Sequence, residues 1–152
     1  RDKPVDAFWC SPYRRSLDTI REAAEHFGMT IHTDERLRER EAAPGGNVRE
    51  LFRKRWADFG WHEPGGESLR SVQERNIAAL TDILTAERDK TVVVGTHGTA
   101  LSTILNYYDP SYNCDSFLRI IDWMPFVVEL DFEGTRFLGK TEHVYVEKLF
   151  KP

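Results

Sequence analysis

The sequence predicts a three-layer α/β/α domain with a mostly parallel central sheet and a C-terminal hairpin. Three observations lead there. Short apolar runs rich in β-branched residues alternate with amphipathic helical stretches along most of the chain. The early apolar runs each lead within a few residues into a turn or a helix start, as crossover units of parallel sheets require. Near the end, two β-rich runs flank a Glu133-Gly134 turn and read as a hairpin.

The elements follow in order. Val5 to Cys10 reads as a strand entered through Pro4. Ser11-Pro12 reads as a helix start, with Ser as N-cap and Pro at the first helical position. Leu17, Ile20, Ala24 and Phe27 then share one helical face, and Gly28 ends the helix. Met29 to His32 is a second short strand. Asp34 to Ala43 is highly charged and gives way to Pro44-Gly45-Gly46, so it reads as a loop or short turn. A second helix is expected from Asn47, a candidate cap, to Phe59, with Leu51, Phe52, Trp56 and Phe59 inward. Gly60 to Glu67 is a loop, and Ser68 to Arg88 the longest helix, striped by Leu69, Val72, Leu80 and Ile83. Thr91 to Val94 has the composition of a strand buried on both faces. Tyr107 to Met124 is ambiguous: it opens on a breaker, Tyr-Tyr-Asp-Pro, and Phe117 to Ile121 reads as one helical turn or two. Phe126 to Phe132 and Arg136 to Leu138 form the hairpin, and Val144 to Val146 adds an edge segment.

At 152 residues, 40% hydrophobic and 30% charged, the chain suits one domain with a real core, and residues 1–152 are read as that domain. A net charge of -4 argues against binding driven by neutralising nucleic-acid phosphates. It leaves room for a small phosphate ester, because local arginines create a positive pocket on an acidic protein. No apolar run approaches the roughly 20 residues that span a bilayer. Cys10 and Cys114 have no metal-ligand spacing, and one bridge between them stays open. A reduced, cytoplasmic setting is the default for such a pair.

Three segments place polar groups just after strands. In Ser11-Pro12-Tyr13-Arg14-Arg15, an arginine in the first turn of a helix offers a planar fork suited to phosphate oxygens. Arg14 and Arg15 also read as solvated helix-surface charges. Arg36-Leu37-Arg38-Glu39-Arg40-Glu41 is a charge run of the kind that usually faces water. Gly95-Thr96-His97-Gly98-Thr99 is a tight turn into a helix, with an imidazole where anions collect. His26, His32, His62 and His143 have no comparable setting. G-T-H-G is not the dinucleotide-binding glycine pattern, so no such cofactor is expected. There is also no H-E-x-x-H, clustered His/Asp set, cysteine quartet or G-x-S-x-G, so neither a metal site nor a serine hydrolase is expected.

Together these segments resemble the histidine phosphatase superfamily, the phosphoglycerate mutase-like family. Ser11, Pro12, Arg15 and Thr19 resemble its S-P-x-x-R-x-x-x-T block, and Leu37 and Glu39 its L-x-E block. Gly66, Glu67, Ser68 and Leu69 resemble its G-E-S-L block, with Arg75 one helical stretch on, and His97 and Gly98 its H-G block. Four blocks in the family's order and approximate spacing are specific where each alone is weak. The resemblance implies a phosphoglycerate mutase-like fold and a phosphoric monoester hydrolase working through a phosphohistidine, with no cofactor. Arg15, His97 and Gly98 would bind the phosphoryl group, and His97 would donate hydrogen bonds to it. Glu39 would protonate the leaving alcohol and then activate water. Tyr13, Arg14, Trp61 and His62 form an expected substrate rim around a small phosphorylated metabolite.

The family's R-H-G motif, which carries the nucleophilic histidine, does not occur in these residues. The nucleophile is therefore expected upstream of residue 1, on a further strand and helix of the same domain. The alternatives are a mutase-type phosphotransferase and a non-catalytic phosphoryl-binding module. Mutases of this family carry a long insertion that covers the site. The span Arg40 to Gly66 here leaves little for a lid, which favours transfer to water. Arg75 is expected to hold a structural contact rather than to touch substrate. A homodimer stays open.

Overall fold

The computed structural model describes residues 5–43, 50–120 and 126–145; the side chains of Arg15, Ser16, Thr19 and Glu50, and those of residues 126–127 and 143–145, lie outside that description. Its central strand is β1 (Ala7–Cys10), flanked by β2 (Ile31–Thr33) and β3 (Val92–Gly95), both parallel to it. Phe8 stands opposite Ile31 on one side and Val93 on the other.

Alternation along the strands separates two faces. Phe8 and Cys10 pack with Ile20 and Ala24 of helix α1 (Arg14–His26), joined by Leu17, Ile31 and Val93. Trp9, Val92 and Val94 turn the other way, onto Leu37 and onto Ala79 and Ile83 of helix α3 (Leu69–Ala86). Helices therefore cover both faces of the sheet, as the alternating pattern predicts.

Between these lie a 3-10 turn (Glu35–Leu37) and helix α2 (Glu50–Ala57); Asn47, the expected cap of α2, falls outside the described residues. After β3 come α4 (Gly98–Tyr108) and α5 (Cys114–Ile120). Phe52 and Trp56 of α2 pack against the cluster of Leu105, Tyr112 and Phe117. Strands β4 (Phe126–Glu133) and β5 (Arg136–Tyr145) pair antiparallel as a separate two-stranded sheet. Leu130 and Phe132 of β4 meet Val94 of β3 in one cluster with Ile77, Leu80 and Ile104, so the hairpin shares the domain core.

Three local expectations change. The valine-rich strand is half-buried at every position, because β3 lies at the edge of the described sheet; β1 is the strand enclosed on both sides. Helix α1 begins at Arg14 with Tyr13 at its N-cap, not at Ser11-Pro12, because the Ser11 hydroxyl is engaged elsewhere. Phe27 closes the apolar face of α1 only in part: its ring lies 6.1 Å from that of Phe8, yet the residue is 45% exposed, and Gly28 takes the left-handed φ of +67° just beyond. Cys10 and Cys114 are buried thiols without a bridge.

Candidate functional site

At the carboxyl end of the sheet, the turn after β3 carries His97 into the N-cap position of α4, with extended φ/ψ of -126° and 163°. Its carbonyl accepts the first helical bond, from the Leu101 N–H at 2.7 Å. His97 Nε2 lies 2.9 Å from the hydroxyl oxygen of Ser11, the residue immediately after β1. The Tyr13 ring stands edge-on to the imidazole at 6.1 Å. A Cβ built on Gly98 meets none of the described residues within 4 Å, so among them the backbone at the start of α4 is open on that side.

Glu39 reaches the same helix start from the loop after the 3-10 turn. One carboxylate oxygen accepts the Thr99 N–H at 3.0 Å; the other accepts the N–H groups of Ala100 at 2.8 Å and Arg40 at 3.0 Å. The side chain thereby caps α4 with the sign of charge its N-terminus favours.

What holds Glu39 there is Arg75, from the second turn of α3. Its guanidinium donates to both Glu67 oxygens, at 2.8 and 2.7 Å, and to the carbonyls of Arg36, Arg38 and Glu39 at 2.7–2.9 Å. Burial raises the Glu67 carboxyl, but Arg75, the Glu41 N–H and the Ser71 hydroxyl outweigh it and hold the group at about 2. Arg75 thus has the structural contact expected of it.

A second buried cluster lies further along the same loop. Arg40 donates to Glu63 at 3.0 Å and to the Glu67 carbonyl at 2.6 Å, and Arg55 approaches Glu63 at 3.3 Å. Burial opposes ionisation of Glu63, yet Arg40 and the backbone N–H groups of Glu63 and Ala43 bring it down to about 2. Burial and then the like charge of Arg40 lower the Arg55 guanidinium. Reading residues 36–41 as a solvated charge run is therefore wrong for Arg40, which is 8% exposed. Arg40, Arg55 and Glu63 carry no signature beyond residue type, Glu63 standing in a stretch that reads as a loop; the S-P block marks Ser11 but not its partner.

The structure thus brings Glu39, His97 and Gly98 to one helix start, with Tyr13 beside them. Arg14 is exposed in the first turn of α1; Arg15 follows it there, and its side chain lies outside the description. Trp61 and His62 have contacts of their own. The Lys54 ammonium lies 4.5 Å from the centre of the Trp61 ring, and His62 Nδ1 is 3.0 Å from the Glu63 carbonyl. His62 lines a polar cavity of about 370 Å³ with Arg38, Glu67 and Ser68; neither Glu39 nor His97 lines it. Among the described residues no group of three His, Cys, Asp or Glu side chains is arranged to hold a metal, and no helix is long and apolar enough to cross a membrane.

No curated protein sequence matches the chain. Solved structures do, at low identity. YhfR of Bacillus stearothermophilus superimposes with a TM-score of 0.68 at 23% identity, over 90% of this chain and 73% of that one. A phosphoserine phosphatase mutant from Entamoeba histolytica, solved with phosphoserine, gives 0.68 at 17%, over 96% and 76%. A mycobacterial glucosyl-3-phosphoglycerate phosphatase gives 0.58 at 23% over 68% of this chain, which spans 58% of that enzyme's length. These likenesses establish the fold. The model of the histidine phosphatase superfamily (branch 1) matches residues 1–122, a stretch holding all four sequence blocks together with the helix start that Glu39 and His97 share. The chain belongs to the histidine phosphatase superfamily, branch 1.

Proposed function

We propose that this chain is part of a phosphatase that cleaves small phosphate monoesters through a phosphohistidine. The observation that carries the reading is the junction of two strand ends: Ser11 after β1 and His97 after β3 are hydrogen-bonded, and Glu39 meets the same helix start. Phosphoryl transfer depends on fixed positive and hydrogen-bonding groups more than on elaborate bond changes. Here His97 and the backbone at Gly98 would receive phosphoryl oxygens, with Arg15 joining from the first turn of α1. Tyr13 would border the site, as would Arg14, and Trp61 and His62 would act further out. Glu39 would serve as general acid and then as base, for which it must release part of its grip on α4.

The nucleophile of this reading is a histidine outside residues 1–152, on a strand and helix that complete the same domain. Water is the expected acceptor, because α2 and the Gly60–Glu67 loop offer little to cover the site. The setting would be the cytoplasm and the ligand a small phosphorylated metabolite; the phosphatases matched in structure act on glucosyl-3-phosphoglycerate and bind phosphoserine, which is compatible with that class.

Two measurements test it. The whole protein, incubated with a monophosphoglycerate and a trace of bisphosphorylated primer, should release inorganic phosphate faster than it interconverts isomers; the reverse makes it a mutase. A brief quench should trap acid-labile phosphate on a histidine. No trapped phosphate and no turnover, with orthovanadate still bound, would leave a phosphoryl-binding module instead.

A further inference from the structure

Ser11 is fully buried, and its hydroxyl stands 2.9 Å from His97 Nε2. The two residues come from neighbouring parallel strands, and the ladder sets their separation. Cys10 pairs with Gly95, the Ser11 N–H reaches the Gly95 carbonyl at 3.4 Å, and His97 follows two residues later. The hydroxyl is therefore held by the rigid centre of the sheet, while the ring it touches stands on a turn. Tyr13, edge-on at 6.1 Å, limits the ring from a second direction.

The chemistry of the partner matters. A carboxylate against an imidazole nitrogen stabilises the imidazolium and keeps the proton there. A hydroxyl both donates and accepts, so it restrains the ring whatever the ring's charge. Which nitrogen of a neutral histidine carries the proton is set by what the other nitrogen touches.

We infer that Ser11 is a positioning residue for His97: its hydroxyl fixes the plane of the ring and, in the neutral ring, donates to Nε2, so that Nδ1 carries the proton with which His97 meets a phosphoryl oxygen. The inference rests on the proposed phosphoryl role of His97, and goes beyond it in naming the group that prepares the imidazole. A serine that served only as the first residue of a helix would not act on the ring. Helix α1 begins after Tyr13, and the hydroxyl is not its cap.

The test uses the full chain with ¹⁵N-labelled histidine, read by two-bond ¹H–¹⁵N spectra at a pH where the ring is neutral. His97→Gln identifies the His97 signals. The parent should show one dominant His97 tautomer. Ser11→Ala should mix the two tautomers and weaken orthovanadate binding by about three- to tenfold, the range of one net hydrogen bond. Ser11→Cys, close in volume and a weaker hydrogen-bonding group, should fall between them, and it decides the matter by the same spectra if Ser11→Ala does not fold. An unchanged His97 tautomer in a folded Ser11 variant overturns the inference, whatever happens to melting or to vanadate. A tautomer change in a protein whose parent form binds no vanadate upholds Ser11's control of the ring and removes the phosphoryl reading instead.

Discussion

The Glu39 carboxylate accepts the Ala100 N–H at 2.8 Å and so caps the helix that His97 begins. A group proposed to serve leaving-group chemistry is thus also a structural cap. The two roles come apart on substitution. Glu39→Gln keeps one amide oxygen for the N–H donors and should lower stability by only a few tenths of a kcal/mol, whereas Glu39→Ala should cost about 1 kcal/mol. On activity of the whole protein the order differs. Glu39→Gln should slow an alkyl phosphate by roughly 100- to 10,000-fold and an aryl phosphate far less, since only the alkoxide needs a proton to leave. Urea melts and paired kinetics check this, and equal losses on both substrates would confine Glu39 to capping.

Arg75→Ala should be the more damaging change to the fold. It leaves Glu67 buried without its cation and removes the donors of three loop carbonyls. Breaking a buried pair on one side costs about 3–5 kcal/mol. Denaturant unfolding should show a loss of this size, with any surviving folded fraction keeping its vanadate affinity. Normal melting with much weaker vanadate binding would place Arg75 among the ligand-binding groups.

Acid should destabilise the protein through Glu63 and Glu67. Both ordinarily titrate near 4.5 and are held at about 2 in the fold. Their contribution is therefore complete above pH 4.5, where unfolded and folded forms are both ionised. It is lost as pH falls toward 2, because the unfolded chain takes up protons first. Thermal melts by circular dichroism at pH 7, 4.5, 3 and 2 should show a steady midpoint down to about 4.5 and a steep fall below. A midpoint flat to pH 2 would mean that the two arginine clusters do not hold these carboxylates ionised.

Gly66→Ala tests the packing of the G-E-S-L block. A Cβ there would overlap the Glu63 carboxylate, which Arg40 and Arg55 hold in place. The added methyl should destabilise by about 1–3 kcal/mol through overpacking. The check is a denaturant midpoint compared with Gly98→Ala, where the same atom meets none of the described residues.

Much of this architecture is legible in the chain because local chemistry and tertiary structure agree. Ser68 accepts from the Ser71 N–H at the head of α3, as a serine before an apolar stripe suggests, and the Glu133-Gly134 turn joins β4 to β5. Periodicity reports which residues face inward along one element, but not how many neighbours that element has. Hence Thr91 to Val94 reads as a strand buried on both faces, while β3 is an edge among the described strands. Position within a charge run is equally uninformative: Arg36 pairs at the surface with Asp82, while Arg40 is buried through Glu63, 23 residues on. Ser11 reads as a helix cap because Ser is favoured at that position and Pro at the one after it. Only the strand register discloses that His97 is its partner.

The edge position of β3 also bears on deuterium uptake. The N–H groups of β1 find strand partners on both sides, whereas alternate N–H groups of β3 face away from β1, toward no strand among the described residues. Exchange protection follows local opening and follows which amides are bonded at all. In β1 it should approach that of the whole domain; in β3 it should rise and fall residue by residue where the sheet ends there, and match β1 where the strand proposed upstream pairs with it. Such an odd–even record across Val92 to Gly95 marks how far the sheet extends, without reference to any side chain.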